Sequence, residues 1–270
     1  MSESVRAVER ALAILSCFSR TTPELTLTQI AERVGLNKST VHRLLATLNQ
    51  NRFVQRDPAT GAYRPGIRLM QYAYLMLEQN DLRRSAAPYL HHLWEQVRET
   101  VDLAVPDNGE VVYIQVLESP QRVKLAAAVG QRLPALCTAS GKALLAYMDD
   151  EIVQRAWEAG MRPYTNCTIT SREAFLENMR AIRAAGFAIS EQEYEEGINA
   201  VAAPILAPGD QPVAVVAVAG PAYRLTRERM IEISPLVMTT AHAIAQEIEM
   251  AAHPLILAAQ GSPTGTRAGA

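Results

Sequence analysis

The sequence predicts an α+β protein in two parts: a small helical module closed by a two-stranded hairpin, then a linking helix and a larger mixed domain built on an antiparallel sheet. Three observations predict it. Apolar residues recur at helical spacing three times in the first fifty residues, and a turn-rich Asp57-Pro58-Ala59-Thr60-Gly61 then separates two short extended runs. From Val101 onward, short β-rich runs interleave with helices in irregular order. At 270 residues the chain is long enough for two domains, each with its own core.

In chain order, Val5, Val8, Leu12 and Leu15 give a first amphipathic helix, followed by the polar break Ser19–Glu24. Leu27, Ile30, Ala31 and Val34 form a second stripe that stops at Gly35, a natural C-terminal stop. Asn37 is a good N-cap, and Val41, Leu44, Leu45 and Leu48 repeat the spacing in a third helix. Phe53–Arg56 and Ala62–Arg64 make the hairpin, and Pro65-Gly66 closes the module, so the first domain is placed at 1–66. A linking helix rich in Leu, Met and Tyr is expected over 67–81, and the second domain over 82–250. Within the latter the pattern predicts a helix at Ala86–Thr100 and strands at Val101–Val105, Val111–Leu117 and Val123–Ala128. A helix from about Ala139 and another over Ser171–Ala185 follow. Strands at Phe187–Ser190, Val201–Leu206 and Val213–Ala219 precede a last helix over Thr226–Met250. Residues 251–270 are small and polar towards their end and are expected to be disordered.

Composition narrows the function classes. The longest purely apolar run, Val213–Ala219, is too short to span a bilayer, so no membrane role is expected. The N-terminus reads as an amphipathic helix without a secretory core, and Cys17, Cys137 and Cys167 are scattered and odd in number, which predicts reduced thiols in a cytoplasmic protein. With the five histidines they give no metal-ligand spacing, so no metal and no cofactor are expected. Residues 1–68 hold ten Lys/Arg against five Asp/Glu, a balance of +5, whereas the rest hold sixteen against twenty-three, a balance of −7. A basic module on an acidic body suits a polyanion-binding unit joined to something else.

The stretch AERVGLNKSTVHRLLATL, residues 31–48, gives that unit a chemistry. At about 100° per residue, Val41, Leu44, Leu45 and Leu48 share one stripe while Ser39 and Arg43 lie opposite, flanked by Thr40 and His42. A helix, a tight Gly-containing turn and a second helix make the helix-turn-helix pattern, whose second helix enters the DNA major groove. Arg43 can bind guanine bidentately, Ser39, Thr40 and His42 can reach bases or phosphate, and Lys38 sits where the helix N-terminus favours a phosphate. The basic hairpin, with Arg52, Arg56 and Arg64, suits a wing that grips the sugar-phosphate backbone.

These stretches, together with Val5, Arg10–Leu15 and RDPATGAYRPG, resemble the IclR-type bacterial transcriptional regulators. The resemblance continues through LPALCTASGKALLA (133–146), TNCTIT (165–170), the segment around Glu193 and Gly197, AAPI (202–205) and the run Val215–Pro221, reaching about residue 250. It implies a winged helix-turn-helix, a GAF/PAS-like effector-binding domain, and dimers or tetramers on double-stranded operator DNA. The residues expected at DNA are Thr28, Lys38, Ser39, Thr40, His42, Arg43, Arg56 and Arg64. An allosteric shift passed through the linker would let a small-molecule effector alter operator affinity.

For the effector, the amides near Ala139, Ser140 and Gly141 are expected to form an anion cradle, with Thr138 or Ser140 as cap. Carried over by position, the pocket adds Leu125, Ile198, Ala200, Ala217 and Ala219. Relatives that recognise small keto acids tend to have Asp, Cys and two Ser at positions matching Ser190, Ala200, Ala217 and Ala219. An apolar pocket with one polar end is therefore expected, suited to an aromatic or hydrophobic organic acid. Two rival readings remain open at this point. One is an enzyme with Cys137 as a thiolate nucleophile served by His91, His92 or His242. The other is an architectural DNA-binding protein without a ligand. Neither is preferred: no catalytic residue is assigned, and the acidic run Glu191–Glu196 reads as a solvated loop.

Overall fold

The computed structural model describes residues 5–19, 22–78 and 81–250, and the segment expected to be disordered, 251–270, lies outside them. The chain divides into two compact units, Met1–Gln79 and Asn80–Ala270.

The first unit holds α1 (Arg6–Leu15), α2 (Leu27–Val34), α3 (Lys38–Gln50), the hairpin β1 (Val54–Arg56) and β2 (Tyr63–Pro65), and α4 (Ile67–Glu78). Its local chemistry is that of the sequence signals. Thr26 and Gln29 form a capping box on α2, which ends at Gly35 in the left-handed conformation, φ 64°. The Asn37 side chain then accepts from the Thr40 amide at 2.8 Å and starts α3. Ile14, Ile30, Val41, Leu45, Val54 and Tyr63 close one core. The expected helix α1 is present, and of its apolar stripe Leu15 packs against that core beside the buried Ile14, whereas Val5, Val8 and Leu12 are exposed. A local pattern shows that a helix has an apolar side, but not what covers it.

The second unit contains α5 (Asp81–Val97), β3 (Thr100–Asp107), β4 (Glu110–Leu117), β5 (Arg132–Pro134), a 3₁₀ turn at Ala135–Cys137, α6 (Ala139–Leu145), α7 (Asp150–Gly160), α8 (Arg172–Ala185), β6 (Ala188–Glu191), β7 (Ile198–Ala207), β8 (Gln211–Pro221) and α9 (Arg227–Met250). The six strands form one antiparallel sheet in the order β5-β4-β3-β8-β7-β6. Two expectations fail locally. No strand forms at Val123–Ala128, and the edge position is taken by the three-residue β5. The helix expected to reach Thr100 stops at Val97, because Thr100 is already paired with Ala219 in the sheet.

Strand alternation divides the core by face. Val101, Leu103, Val216 and Val218 pack with α5 and α9, whereas Ala104, Tyr113, Val215 and Ala217 pack with α6 and α8. This second face is floored by small residues: Ala200 pairs with Ala219, and Ala202 pairs with Ala217, which in turn lies opposite Asp102. Alanines at adjacent register positions leave a hollow in the sheet surface, and a cavity lies over it.

Candidate functional site

On α3 the residues expected at DNA divide cleanly. Lys38, Ser39, His42 and Arg43 are exposed and Thr40 is half-buried, while Val41 and Leu45 are buried beneath them. The Ser39 hydroxyl donates to Asn37 Oδ1 at 2.9 Å, so its proton is engaged in the cap, which leaves its lone pairs for a partner. Thr28 lies in the first turn of α2 and is half-buried. Arg56 and Arg64 are exposed on the hairpin. The Arg56 guanidinium lies 5.9 Å from the centroid of the Tyr63 ring, and Arg64 approaches Glu24 at 3.9 Å. Arg52 is not on the hairpin but in the turn leading into it, with φ 62°. The hairpin tip is held by Asp57, whose carboxylate accepts from the amides of Ala59 at 2.7 Å and Thr60 at 3.3 Å. Those amides hold its pKa below the ordinary carboxylate value.

In the second unit, one cavity lies between the start of α6 and the sheet, with about 570 Å³ of space counting the part open to solvent. Leu125, Ala139, Ser140, Ile198, Ala200, Ala217 and Ala219 all line it, as the sequence reading expected. Gly141 does not. Its amide donates to Thr138 Oγ1 at 3.2 Å, and its α-carbon is so close to the preceding turn that a Cβ would meet the Ala135 Cα at 2.1 Å. Thr138 therefore caps α6, the Gly141 amide counted towards the expected anion cradle is taken by that cap, and Gly141 allows close packing on the preceding turn.

The lining is also more polar than the sequence reading allowed. Asp102, Tyr113, Gln131, Ser190, Tyr194 and Glu195 face the same space. Asp102 is 1 % exposed, and neither carboxylate oxygen has a hydrogen-bond partner among the described residues. Burial pushes its pKa from 3.8 up to about 8. The unfolded chain gives up this proton above pH 4 while the folded chain keeps it to about pH 8, so Asp102 lowers stability progressively as pH rises through that window. Asp102→Asn, which cannot ionise, is accordingly expected to be more stable than wild type at pH 8.5, by up to about 1.4 kcal/mol for each unit of the pKa shift it removes, with little difference below pH 4. Urea unfolding at both pH values measures it.

The acidic run is a loop in which Glu195 and Glu196 are exposed as expected, but one member departs from that reading. Glu193 is buried and forms a salt bridge with Lys142, itself 1 % exposed, whose Nζ also donates to the Ile189 carbonyl at 2.8 Å. Burial raises the Glu193 pKa and the Lys142 charge partly offsets it. Thr168 adds a 2.6 Å bond to the Glu193 carbonyl, so the segment carrying Tyr194 and Glu195 is fixed at the cavity wall. The surroundings of Cys137 speak against the thiolate reading. Cys137 is fully buried, and burial drives its pKa up to about 12, the reverse of an activated nucleophile. His91 and His242 lie on α5 and α9, which pack on the opposite face of the sheet. Among the described residues, no group of three or more His, Cys, Asp or Glu could hold a metal ion, and no helix is long and apolar enough to cross a membrane.

Residues 7–58 match the family described as the IclR helix-turn-helix domain, and residues 74–246 match the one described as bacterial transcriptional regulator IclR C-terminal. The chain belongs to the IclR family. Among its IclR relatives, the HTH-type transcriptional regulator XynR of Escherichia coli is 33% identical over 202 residues, covering 74% of this chain and 80% of that one. The HTH-type transcriptional repressor AllR of Salmonella typhimurium is 30% identical over 244 residues, 90% of each chain. Of solved structures, an IclR-family regulator from Alicyclobacillus acidocaldarius superposes with a TM-score of 0.82 at 29% identity, covering 90% of this chain and 99% of that one. The Thermotoga maritima IclR gives 0.69 at 28% identity, covering 89% and 98%.

Proposed function

We propose that this IclR-family regulator binds operator DNA through the outward face of α3 and the β1–β2 wing, and that a small organic acid in the α6–sheet cavity alters that binding. The observation that carries the first half is the two-sidedness of α3. Val41 and Leu45 are buried, yet Lys38, His42 and Arg43 stand free on the other side. Arg43 supplies base discrimination by bidentate pairing with guanine, while Arg56, Arg64 and Lys38 supply sequence-independent contacts to phosphates. Thr28, Ser39 and Thr40 contribute backbone or base contacts.

The second half rests on the cavity. The start of α6 offers Ala139 and Ser140 to the acid group, and Leu125, Ile198 and the floor alanines offer apolar contact to a hydrophobic body, aromatic rings included. The protein acts as a homodimer or homotetramer. The exposed apolar residues Val5, Val8 and Leu12 on α1, and Ile67, Met70 and Leu75 on α4, support a self-association surface. It is not an enzyme: the buried Cys137 offers no nucleophile, and its named relatives regulate transcription.

A salt series separates the two DNA roles. Arg43→Ala is expected to cost about 1–3 kcal/mol on a preferred sequence and to relax discrimination at one base position. Arg64→Ala is expected to weaken all sequences alike and to reduce the slope of log affinity against log salt by about 1. Fluorescence anisotropy with a selected and a scrambled duplex measures both; an exchange of the two phenotypes would reject the placement of reading helix and wing.

A further inference from the structure

The cavity contains one group that the organic-acid reading leaves unexplained. Asp102 projects from β3 beside the alanine floor, almost wholly buried, with both oxygens unpartnered. Among the described residues, no lysine, arginine or histidine lines the cavity to compensate it, and the other carboxylate there, Glu195, is exposed. Of the groups packed nearby, Tyr113 is a buried phenol whose pKa is raised in part by Asp102 itself. A buried polar group without a partner is costly, so native proteins rarely retain one unless something occupies the site.

We propose that the effector is a hydroxylated organic acid whose hydroxyl sits against the Asp102 carboxyl, making Asp102 the residue that selects the ligand. This rests on the ligand-sensing reading above and goes beyond it. A hydroxyl both donates and accepts, so it can pair with the Asp102 carboxyl whether that group is protonated or ionised. A ligand carboxylate in the same place would pair only with the protonated form, and an ammonium would leave the donor of that form unused. The ligand acid group therefore points away from Asp102, towards Ala139 and Ser140. A site built to hydrogen-bond a hydroxyl rejects the analogue lacking it, because the buried carboxyl is then left unpaired.

Calorimetry on the full-length protein at pH 7 tests this with three matched pairs: benzoate against 4-hydroxybenzoate, phenylacetate against mandelate, and propionate against lactate. The expected result is at least one hydroxylated acid binding ten-fold or more tighter than its partner, with the gap falling below three-fold in Asp102→Ala. Asp102→Asn, measured without ligand, should melt no lower than wild type, which separates a recognition role from a structural one. Equal binding within every pair, a preference that survives Asp102→Ala, binding of no hydroxylated acid, or a lowered melting temperature of Asp102→Asn would each overturn it. Ala217→Phe, which fills the hollow, keeps the two readings apart. Acids bound without hydroxyl preference and lost in Ala217→Phe remove the Asp102 inference alone, whereas binding that persists in Ala217→Phe removes the cavity reading as well.

Discussion

Lys142→Met is expected to destabilise the C-terminal unit by about 3–5 kcal/mol, the usual cost of leaving one partner of a buried ion pair uncompensated. Lys142 and Glu193 are both buried, and Glu193 Oε2 has no hydrogen-bond partner among the described residues, so the Lys142 ammonium is the main group holding that carboxylate in its charged form. Without it, burial raises the Glu193 pKa further above its ordinary 4.5. The penalty should accordingly be larger at high pH and shrink as pH falls towards the ordinary carboxylate value, because folded Glu193 then takes up a proton and the buried charge disappears. Urea unfolding at pH 5 and pH 8 reads this directly. The double variant Lys142→Met/Glu193→Leu should recover most of the loss, since a buried pair is often replaceable by well-packed apolar groups. Ligand response should fall with the single variant, because Tyr194 and Glu195 follow Glu193 in the cavity wall.

Gly66→Ala is expected to cost the N-terminal unit about 3 kcal/mol or more, at the upper end of overpacking effects. A Cβ on Gly66 would lie 2.1 Å from the Arg52 carbonyl oxygen and 2.9 Å from the Phe53 carbonyl carbon, and both are backbone atoms with no rotamer to change. They belong to the turn between α3 and β1, where the Gly66 amide donates to the Phe53 carbonyl at 2.9 Å and the Arg68 amide to the Arg52 carbonyl at 3.1 Å. Relieving the clash displaces the base of the wing relative to α3. Operator affinity should therefore fall even at temperatures where the variant remains folded, and amide exchange should show the hairpin opening before the three helices. A variant that melts and binds DNA like wild type would contradict this account of the hairpin base.

The DNA-binding unit was largely legible in the sequence because its signals are local. Asn37 as cap, Gly35 as stop and the 41-44-45-48 stripe each act within one turn of helix, and the structure uses all of them. The helix α1 was legible too, but not what covers its apolar side: Val5, Val8 and Leu12 reveal an amphipathic helix without saying which side its own core takes. In the second unit, residues carried over by family position reached the cavity, except Gly141, where close backbone approach looks the same in sequence as a ligand-binding glycine. What was missed depends on long-range pairing. Lys142 and Glu193 lie 51 residues apart, and nothing within either segment marks the other as its partner. Asp102 did leave a signal: a lone acid within the β-rich run Thr100–Val105, whose significance requires knowing that its face of the strand is covered.

Selection of duplexes from a randomised DNA pool, carried out in parallel with wild type and Arg43→Ala, tests the central claim most directly. If the exposed face of α3 reads base edges, wild type enriches a defined sequence, and Arg43→Ala enriches the same motif with one position, a guanine in the wild-type selection, relaxed. Enrichment of no sequence by wild type, or an unchanged motif at every position with Arg43→Ala, would contradict it.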